Sequence, residues 1–114
     1  MVMSFERLRE ISACLKVRKS LIDIFSEERE LAADLEGGER LAQRLDAMIC
    51  GYRSELEELQ RERMTIIQAA AKLPEKQRNA IILHYDAGMT WKEVSDALGV
   101  SLRYVYKLRG AALE

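Results

Sequence analysis

Three basic side chains near the carboxy terminus are the clearest candidates in this chain for binding another molecule. Between residues 101 and 113 the only charged residues are three cations, Arg103, Lys107 and Arg109. If this stretch is a helix, Arg103 and Lys107 lie four residues apart on one face and can enter a groove together. Either side chain can donate hydrogen bonds to phosphate oxygens or to N7 and O6 of guanine. The pattern indicates nucleic-acid chemistry; the simpler alternative is a pair of solvated surface cations.

Two short helices must hold these cations, and the sequence marks where each one begins. Thr90 can cap the first, and Glu93 three residues later completes a capping box. That helix must end near Leu98, because Gly99 is the residue type that tolerates a left-handed backbone. Ser101 can then cap the second helix. The sequence therefore predicts two helices separated by a three-residue turn.

The apolar residues of these two helices fall where crossed helices bury their side chains. Met89 with Val94, and Val100 with Val105, occupy the positions of hydrophobic staples, and small Ser95 lies at the predicted crossing. Such a pair is a helix-turn-helix, whose second helix lies in the major groove of DNA. An ordinary capped helical hairpin is the alternative.

The first 72 residues predict two long amphipathic helices. Apolar residues recur at steps of three and four in both halves, and the glycine pair Gly37-Gly38 separates them. We therefore predict a helical coiled-coil oligomerisation region over residues 1–72, jointed at 37–38. If the chain folds back at the glycines, residues of the two helices whose numbers sum to about 74 lie side by side. The sequence leaves open whether the first helix folds back within one chain or exchanges between subunits.

A proline marks the boundary of the head. Leu73-Pro74 ends the second long helix, since proline disfavours helix for the preceding residue and is accepted at a first helical position. A third helix should run from Pro74 to Ala87, burying Ile81, Ile82 and Tyr85. Residues 73–114 are thus predicted as a three-helix helix-turn-helix domain, and the whole chain as all-α.

Composition excludes several classes of protein. The net charge is −1, with −2 in residues 1–72 and +1 in residues 73–114, so this is not a general polycation. The spacing of Cys14 and Cys50 is not that of a zinc site. We expect both thiols to be buried and too far apart to form a disulfide within one chain. The expected location is the reducing cytoplasm. His84 is the sole histidine. Without a recognisable catalytic set or phosphate loop, we predict no enzyme, no cofactor and no metal.

The head resembles the fourth conserved region of bacterial sigma factors. The resemblance is carried by Leu73-Pro74-Glu75-Lys76-Gln77-Arg78, Tyr85, Gly88, Trp91-Lys92-Glu93-Val94, Leu98-Gly99-Val100-Ser101 and Val105. The whole layout, with two long helices and a glycine joint ahead of that head, is similar to small phage and prophage transcription regulators of sigma-like type. The resemblance implies a head that reads a promoter element in the major groove, and in some members also contacts the polymerase.

The resemblance also implies which residues contact DNA. The base-reading positions fall on Leu102, Arg103 and Lys107. Leu102 departs from the polar residue common in the family, so a thymine methyl contact or no contact is expected there. Contacts to the DNA backbone are expected from Thr90, Lys92, Ser101, Tyr106 and Arg109.

The chain is therefore predicted to be a cytoplasmic, sequence-specific regulator that binds double-stranded DNA. Homo-oligomerisation through the amino-terminal helices would place two heads on one site, and bacterial RNA polymerase is a further candidate partner. Two rivals remain. One is a polymerase-binding factor whose head docks on protein, and the other is a coiled-coil scaffold.

Overall fold

The chain is all-helical, as predicted. The computed structural model describes residues 5–113, without the side chains of 112 and 113, and this part contains no β-strand. The helices are α1 (Glu6–Asp34), α2 (Glu39–Ala70), α3 (Glu75–Ile81), α4 (Trp91–Leu98) and α5 (Leu102–Leu113), with a π-helical turn at Ile82–Asp86 after α3.

The chain divides into two compact units. One, the hairpin unit, is Ala13–Arg61, and the other, the head unit, combines Met1–Ser12 with Glu62–Glu114. The head unit therefore takes in residues from the predicted oligomerisation region. The boundary at residues 72 and 73, between an oligomerisation region and a helix-turn-helix domain, stays a prediction.

In the hairpin unit, α1 folds back on α2 within one chain. The rings of Phe25 and Tyr52 stack with 6.0 Å between centroids and 3° between planes. Phe25 also packs on a small buried cluster near the turn, made of Ala32, Ala42 and Leu45. Alanine at two of these positions lets the helix backbones approach closely beside the turn.

Two ion pairs fix the register of the hairpin. Arg18 Nε lies 2.7 Å from Glu55 Oε2, and Arg29 Nε lies 3.0 Å from Asp46 Oδ1. Both pairs agree, within a residue or two, with the register predicted for a fold at the glycine joint. They are largely exposed, so they align the helices more than they stabilise them.

The two cysteines do not meet, but one of them is not buried. Both are free thiols, and Cys14 is half-buried whereas Cys50 is exposed. The expectation of two buried thiols was therefore wrong for Cys50, and Cys14 is covered only in part. The neighbouring Ile49 takes the buried position on this turn of α2, which turns Cys50 outward.

The glycine joint is needed for steric reasons. Gly37 has a φ of 80°, in the left-handed region. A Cβ on Gly38 would lie 1.9 Å from the carbonyl oxygen of Ala32 and 2.9 Å from its carbon. Backbone atoms cannot swing aside as a flexible side chain can, so the turn would have to open.

We expect Gly38→Ala to lower the free energy of unfolding by about 2 kcal/mol, because the new methyl group displaces backbone in a packed turn. The measurement is urea denaturation followed by circular dichroism. Gly51→Ala is the matched control, since Gly51 lies inside α2 and an added Cβ there meets nothing within 4 Å beyond its chain neighbours and the backbone of its own helix. That control should gain about 0.5–1 kcal/mol from helix propensity. Equal effects of the two substitutions would contradict this account of the turn.

The head differs from prediction after Ile81. The predicted helix to Ala87 gives way to a π-helical turn, in which Ala87 N donates to Ile82 O over 3.1 Å. Wider winding by one residue re-aims the side chains that follow. Ile81 and Tyr85 are buried as predicted, whereas Ile82 is only half-buried.

The core of the head joins α3, α4 and α5. Its buried cluster is Ala80, Val94, Val105 and Leu108. Around it pack the half-buried residues Leu83, Met89, Trp91, Leu98, Val100 and Tyr104. Both predicted staples are part of this core, and Ser95 is buried with its hydroxyl donating to Lys92 O over 2.8 Å.

The first turns of α1 belong to the head unit. Phe5, Leu8 and Ile11 are buried, and the Phe5 ring lies 6.3 Å from that of Tyr85. The sequence predicted these residues to be part of the oligomerisation helix. Periodicity marks them as buried but does not identify the surface that covers them.

Candidate nucleic-acid interface

The helix-turn-helix is built by the predicted caps. Thr90 Oγ1 accepts from Glu93 N over 3.1 Å, and a Glu93 carboxylate oxygen accepts from Thr90 N over 3.2 Å. Gly99 has a φ of 67°, which ends α4. Ser101 Oγ then accepts from Tyr104 N over 3.1 Å at the start of α5. The turn therefore fixes the direction in which α5 leaves the head.

Helix α5 has one buried and one exposed side. Val105 and Leu108 are buried in the head core, with Tyr104 half-buried beside them. The exposed residues on the other side are Leu102, Arg103, Tyr106, Lys107 and Gly110. We call this set the outer face of α5.

All three predicted base-reading residues lie on the outer face. Leu102 is 37% exposed, which leaves its methyl groups free for contact. Arg103 and Lys107 line one shallow depression with Ser101 and Tyr104. The structure thus brings the two predicted cations together on accessible surface.

The predicted backbone-contact residues lie around the starts of α4 and α5 and along α5. Thr90, Lys92, Ser101, Tyr106 and Arg109 are all exposed. The hydroxyls of Thr90 and Ser101 already serve as helix caps, so only their free lone pairs and hydrogens remain for a further partner. Their positions beside helix amino termini favour an anion.

Two cations are held against aromatic rings of the head. The Arg109 guanidinium lies 5.6 Å from the centroid of the Trp91 ring, which brings the end of α5 to the start of α4. Lys76 Nζ lies 5.7 Å from the centroid of the Tyr104 ring. Lys76 therefore adds charge from α3 beside α5. Sequence reasoning missed this contact, which depends on how α3 crosses α5.

His84 is held in one protonation state by its partners. Its ring stacks on Trp91 at 3.7 Å between centroids. Nδ1 lies 2.6 Å from the Met89 carbonyl oxygen, and Nε2 lies 2.7 Å from Arg9 Nη2. A carbonyl only accepts and a guanidinium only donates. The arrangement therefore requires a neutral ring with its proton on Nδ1.

The surroundings lower the pKa of His84 below its ordinary value. Burial is the main cause, and the nearby charges of Arg9 and Arg109 act in the same direction. The hydrogen bond to the Met89 carbonyl and the charge of Glu6 oppose them. His84 is thus a structural link between α1 and the head rather than a proton donor.

Acidification should destabilise the protein through His84. A histidine whose pKa is lower in the folded chain adds stability above its unfolded value of about 6.5. That stability is lost as the pH falls from there through the folded pKa. We expect the free energy of unfolding to decrease between pH 7.5 and 5.5, as measured by urea denaturation.

His84→Gln provides the comparison for this prediction. The variant should be less stable at pH 7.5 but should vary less with pH, because His84 is the only histidine in the chain. Parallel pH profiles for the two proteins would contradict the assignment.

Residues 5–113 contain neither a metal-binding cluster nor a membrane-spanning helix. No group of three or more histidine, cysteine or acidic residues is placed to hold a metal ion there. No helix in the same part of the chain is long and apolar enough to cross a membrane.

Comparison with known proteins identifies the head. Residues 63–114 match the family model described as Sigma-70, region 4, which indicates a DNA-binding helix-turn-helix with a role in transcription. No match was found among curated proteins or among solved structures. The family match confirms the resemblance predicted from the head residues. Residues 63–114 are therefore a sigma-70 region 4-like helix-turn-helix segment.

Proposed function

We propose that this protein is a sequence-specific regulator of transcription that binds double-stranded DNA through the outer face of α5. The observation that carries the proposal is the accessible pair Arg103 and Lys107, presented on a helix whose opposite side is fixed in the head core. Donors held on a rigid helix can enter the major groove together and bind guanine edges.

The wider contact set supports docking on the DNA backbone. Lys92, Tyr106 and Arg109 are exposed around the base-reading residues, and Lys76 adds a cation from α3. Phosphate contacts of this kind position a protein on the duplex, whereas base contacts select the sequence. We assign Leu102 to an apolar contact with a thymine methyl group.

Two heads on one site would raise the affinity of a small module. A single module buries only about 600–1,000 Å² on DNA, and tethering two of them raises the apparent affinity by roughly 100-fold or more. We propose that the amino-terminal helices oligomerise, and that the protein is a cytoplasmic regulator of phage or prophage origin. The layout of two long helices ahead of the head supports that origin.

One observation favours a second candidate, docking of the head on RNA polymerase. A depression on the head is lined by the apolar residues Ile82, Leu83 and Leu98, with Arg78 and Asn79 beside them. Concave apolar surface with a polar rim is typical of protein contacts. This depression shares no residue with the outer face of α5, so binding of polymerase and binding of DNA do not compete for the same residues.

Selection of bound duplexes from a random pool tests the proposal. We expect one motif to be enriched and its affinity to fall steeply with salt, because phosphate contacts release counterions. Capture of polymerase without enrichment of any motif would instead support the protein-docking candidate. If no motif is enriched and no polymerase is captured, only a scaffold role remains.

A further inference from the structure

Helix α1 carries a second apolar face that α2 does not cover. Val17, Ile24 and Leu31, spaced seven residues apart, are 54%, 52% and 63% exposed. Half-buried Leu21 lies between the first two, and Leu35, 62% exposed, follows just after the helix. We call these five residues the α1 stripe. Its spacing of four and three is that of a helix which packs against another helix.

The α1 stripe lies to one side of the packed face of the hairpin unit. Leu15, Phe25 and Ala32 lie on the side of α1 that packs within the unit. At about 100° per residue, the stripe is centred more than 100° around the helix from them. Contiguous apolar surface of this kind on a free protein marks an interaction site.

Charge is distributed unevenly along the same helix. Its amino-terminal half carries the basic residues Lys16, Arg18 and Lys19, and its carboxy-terminal half with the following turn carries mainly the acidic residues Glu27, Glu28, Glu30, Asp34 and Glu36. Arg18 is already paired with Glu55 in the hairpin unit. Lys16 and Asp34 are exposed, and they lie about five helical turns apart on one side of the stripe.

We propose that a second copy of this chain covers the α1 stripe, with the two α1 helices antiparallel. In that orientation the basic residues Lys16, Arg18 and Lys19 of each helix lie beside the acidic residues Asp34 and Glu36 of the other. Lys16 of one copy then neighbours Asp34 of the second. A parallel pair would instead place like charges together, which is repulsive. The inference rests on the oligomerisation part of the proposed function and not on DNA reading.

The register follows from the stripe. The stripe alternates between two core positions of a helix pair: Val17, Ile24 and Leu31 occupy one, and Leu21, Glu28 and Leu35 the other. In antiparallel packing each position meets the other kind on the second copy. Val17 therefore lies beside Leu35 of the second copy, and Leu21 beside its Leu31. The central layer places Ile24 beside Glu28 of the second copy. Glu28 is thus the one carboxylate in an otherwise apolar seam. Such a group costs stability while favouring a single register.

Sedimentation of the full chain over a concentration series tests the surface. We expect Ile24→Glu to weaken self-association at least about 100-fold, because the symmetry places a new charge in the seam twice. Helicity should be unchanged, since Ile24 is exposed in the single chain. Met64→Glu is the matched control: Met64 is 48% exposed but lies in the head unit, and the association constant should not change.

A gain of affinity provides an independent check. Glu28→Leu should tighten association about 10-fold, because it replaces the carboxylate in the seam with an apolar side chain. Equal association constants for wild type, Ile24→Glu and Glu28→Leu would overturn the proposal.

Charge reversal tests the orientation. For an antiparallel pair, Lys16→Glu weakens association about 5-fold, and adding Asp34→Lys in the same chain restores it. For a parallel pair, Lys16→Glu would strengthen association by relieving repulsion. That result would overturn the antiparallel arrangement.

Failure of this inference is distinguishable from failure of DNA reading. A wild-type chain that stays monomeric throughout the series, yet enriches a duplex motif, would reject the α1 pairing and leave the reading head intact. A chain that self-associates as described but enriches no motif would reject DNA reading alone.

Discussion

Replacing Arg103 and Lys107 together with alanine is expected to abolish sequence-specific DNA binding. Each bidentate pair with a base contributes about 1–3 kcal/mol of discrimination, so the double variant should lose at least about 100-fold in affinity for the selected duplex. Binding to unrelated duplexes should fall much less. Titration of both duplexes by fluorescence anisotropy measures the two affinities.

The fold should not contribute to this loss. Arg103 and Lys107 are exposed and the core side of α5 is unchanged, so helicity and self-association should match those of wild type. Arg53→Ala is the matched control, because Arg53 is an exposed cation in the hairpin unit. Unaltered footprints for the double variant would reject the outer face of α5 as the reading surface.

A phosphate contact should respond differently from a base contact. Lys92→Ala is expected to weaken binding to all duplexes about equally and to lower the slope of log affinity against log salt by about 1. This contrast separates the residues that position the head from those that select the sequence.

The parts of the head that sequence reasoning located are fixed by local chemistry. Thr90, Glu93, Gly99 and Ser101 act on backbone groups only a few residues away, so their roles could be predicted without the fold. The hairpin was predictable for a related reason. Gly37-Gly38 is the only glycine pair between two periodic runs.

The remaining features depend on contacts between distant parts of the chain. The π-helical turn after Ile81 was not predicted, because a single widened turn is too short to change the apolar pattern of the helix that contains it. The contact of Lys76 with Tyr104 depends on a helix crossing. The α1 stripe was also missed. Both apolar faces of α1 follow the same helical spacing in the sequence, and only the burial of each residue in the structure distinguishes them.

Asp86 joins three segments of the head unit. Its carboxylate accepts from Arg63 Nε over 2.9 Å and from Arg63 Nη2 over 2.7 Å, and from the Ser12 hydroxyl over 3.0 Å. The end of α2 and the first turns of α1 are thereby tied to the π-helical turn. The side chain of Asp86 is only 15% exposed, so solvent screens this pair less than a surface ion pair.

We expect Asp86→Ala to lower the free energy of unfolding by about 2–3 kcal/mol at pH 7. The substitution leaves the Arg63 guanidinium partly buried without its carboxylate, and the Ser12 hydroxyl without its acceptor. Thermal or urea denaturation measures the change. Glu62→Ala is the matched control, since Glu62 pairs with Arg7 on exposed surface, where solvent screens the pair, and its loss should cost much less stability than that of Asp86.

The pH dependence identifies the cause of that loss. The hydrogen bonds from Arg63 are the main reason that the pKa of Asp86 lies below its ordinary value of 3.8, and the Ser12 hydroxyl adds to the effect, while burial opposes it. A carboxylate with a lowered folded pKa contributes stability above its unfolded pKa, and this stability is lost as the pH falls through the folded value. The stability gap between wild type and Asp86→Ala should therefore narrow below about pH 4. A gap that stays constant down to acid pH would mean that Asp86 acts by packing alone and not as the charged acceptor for Arg63.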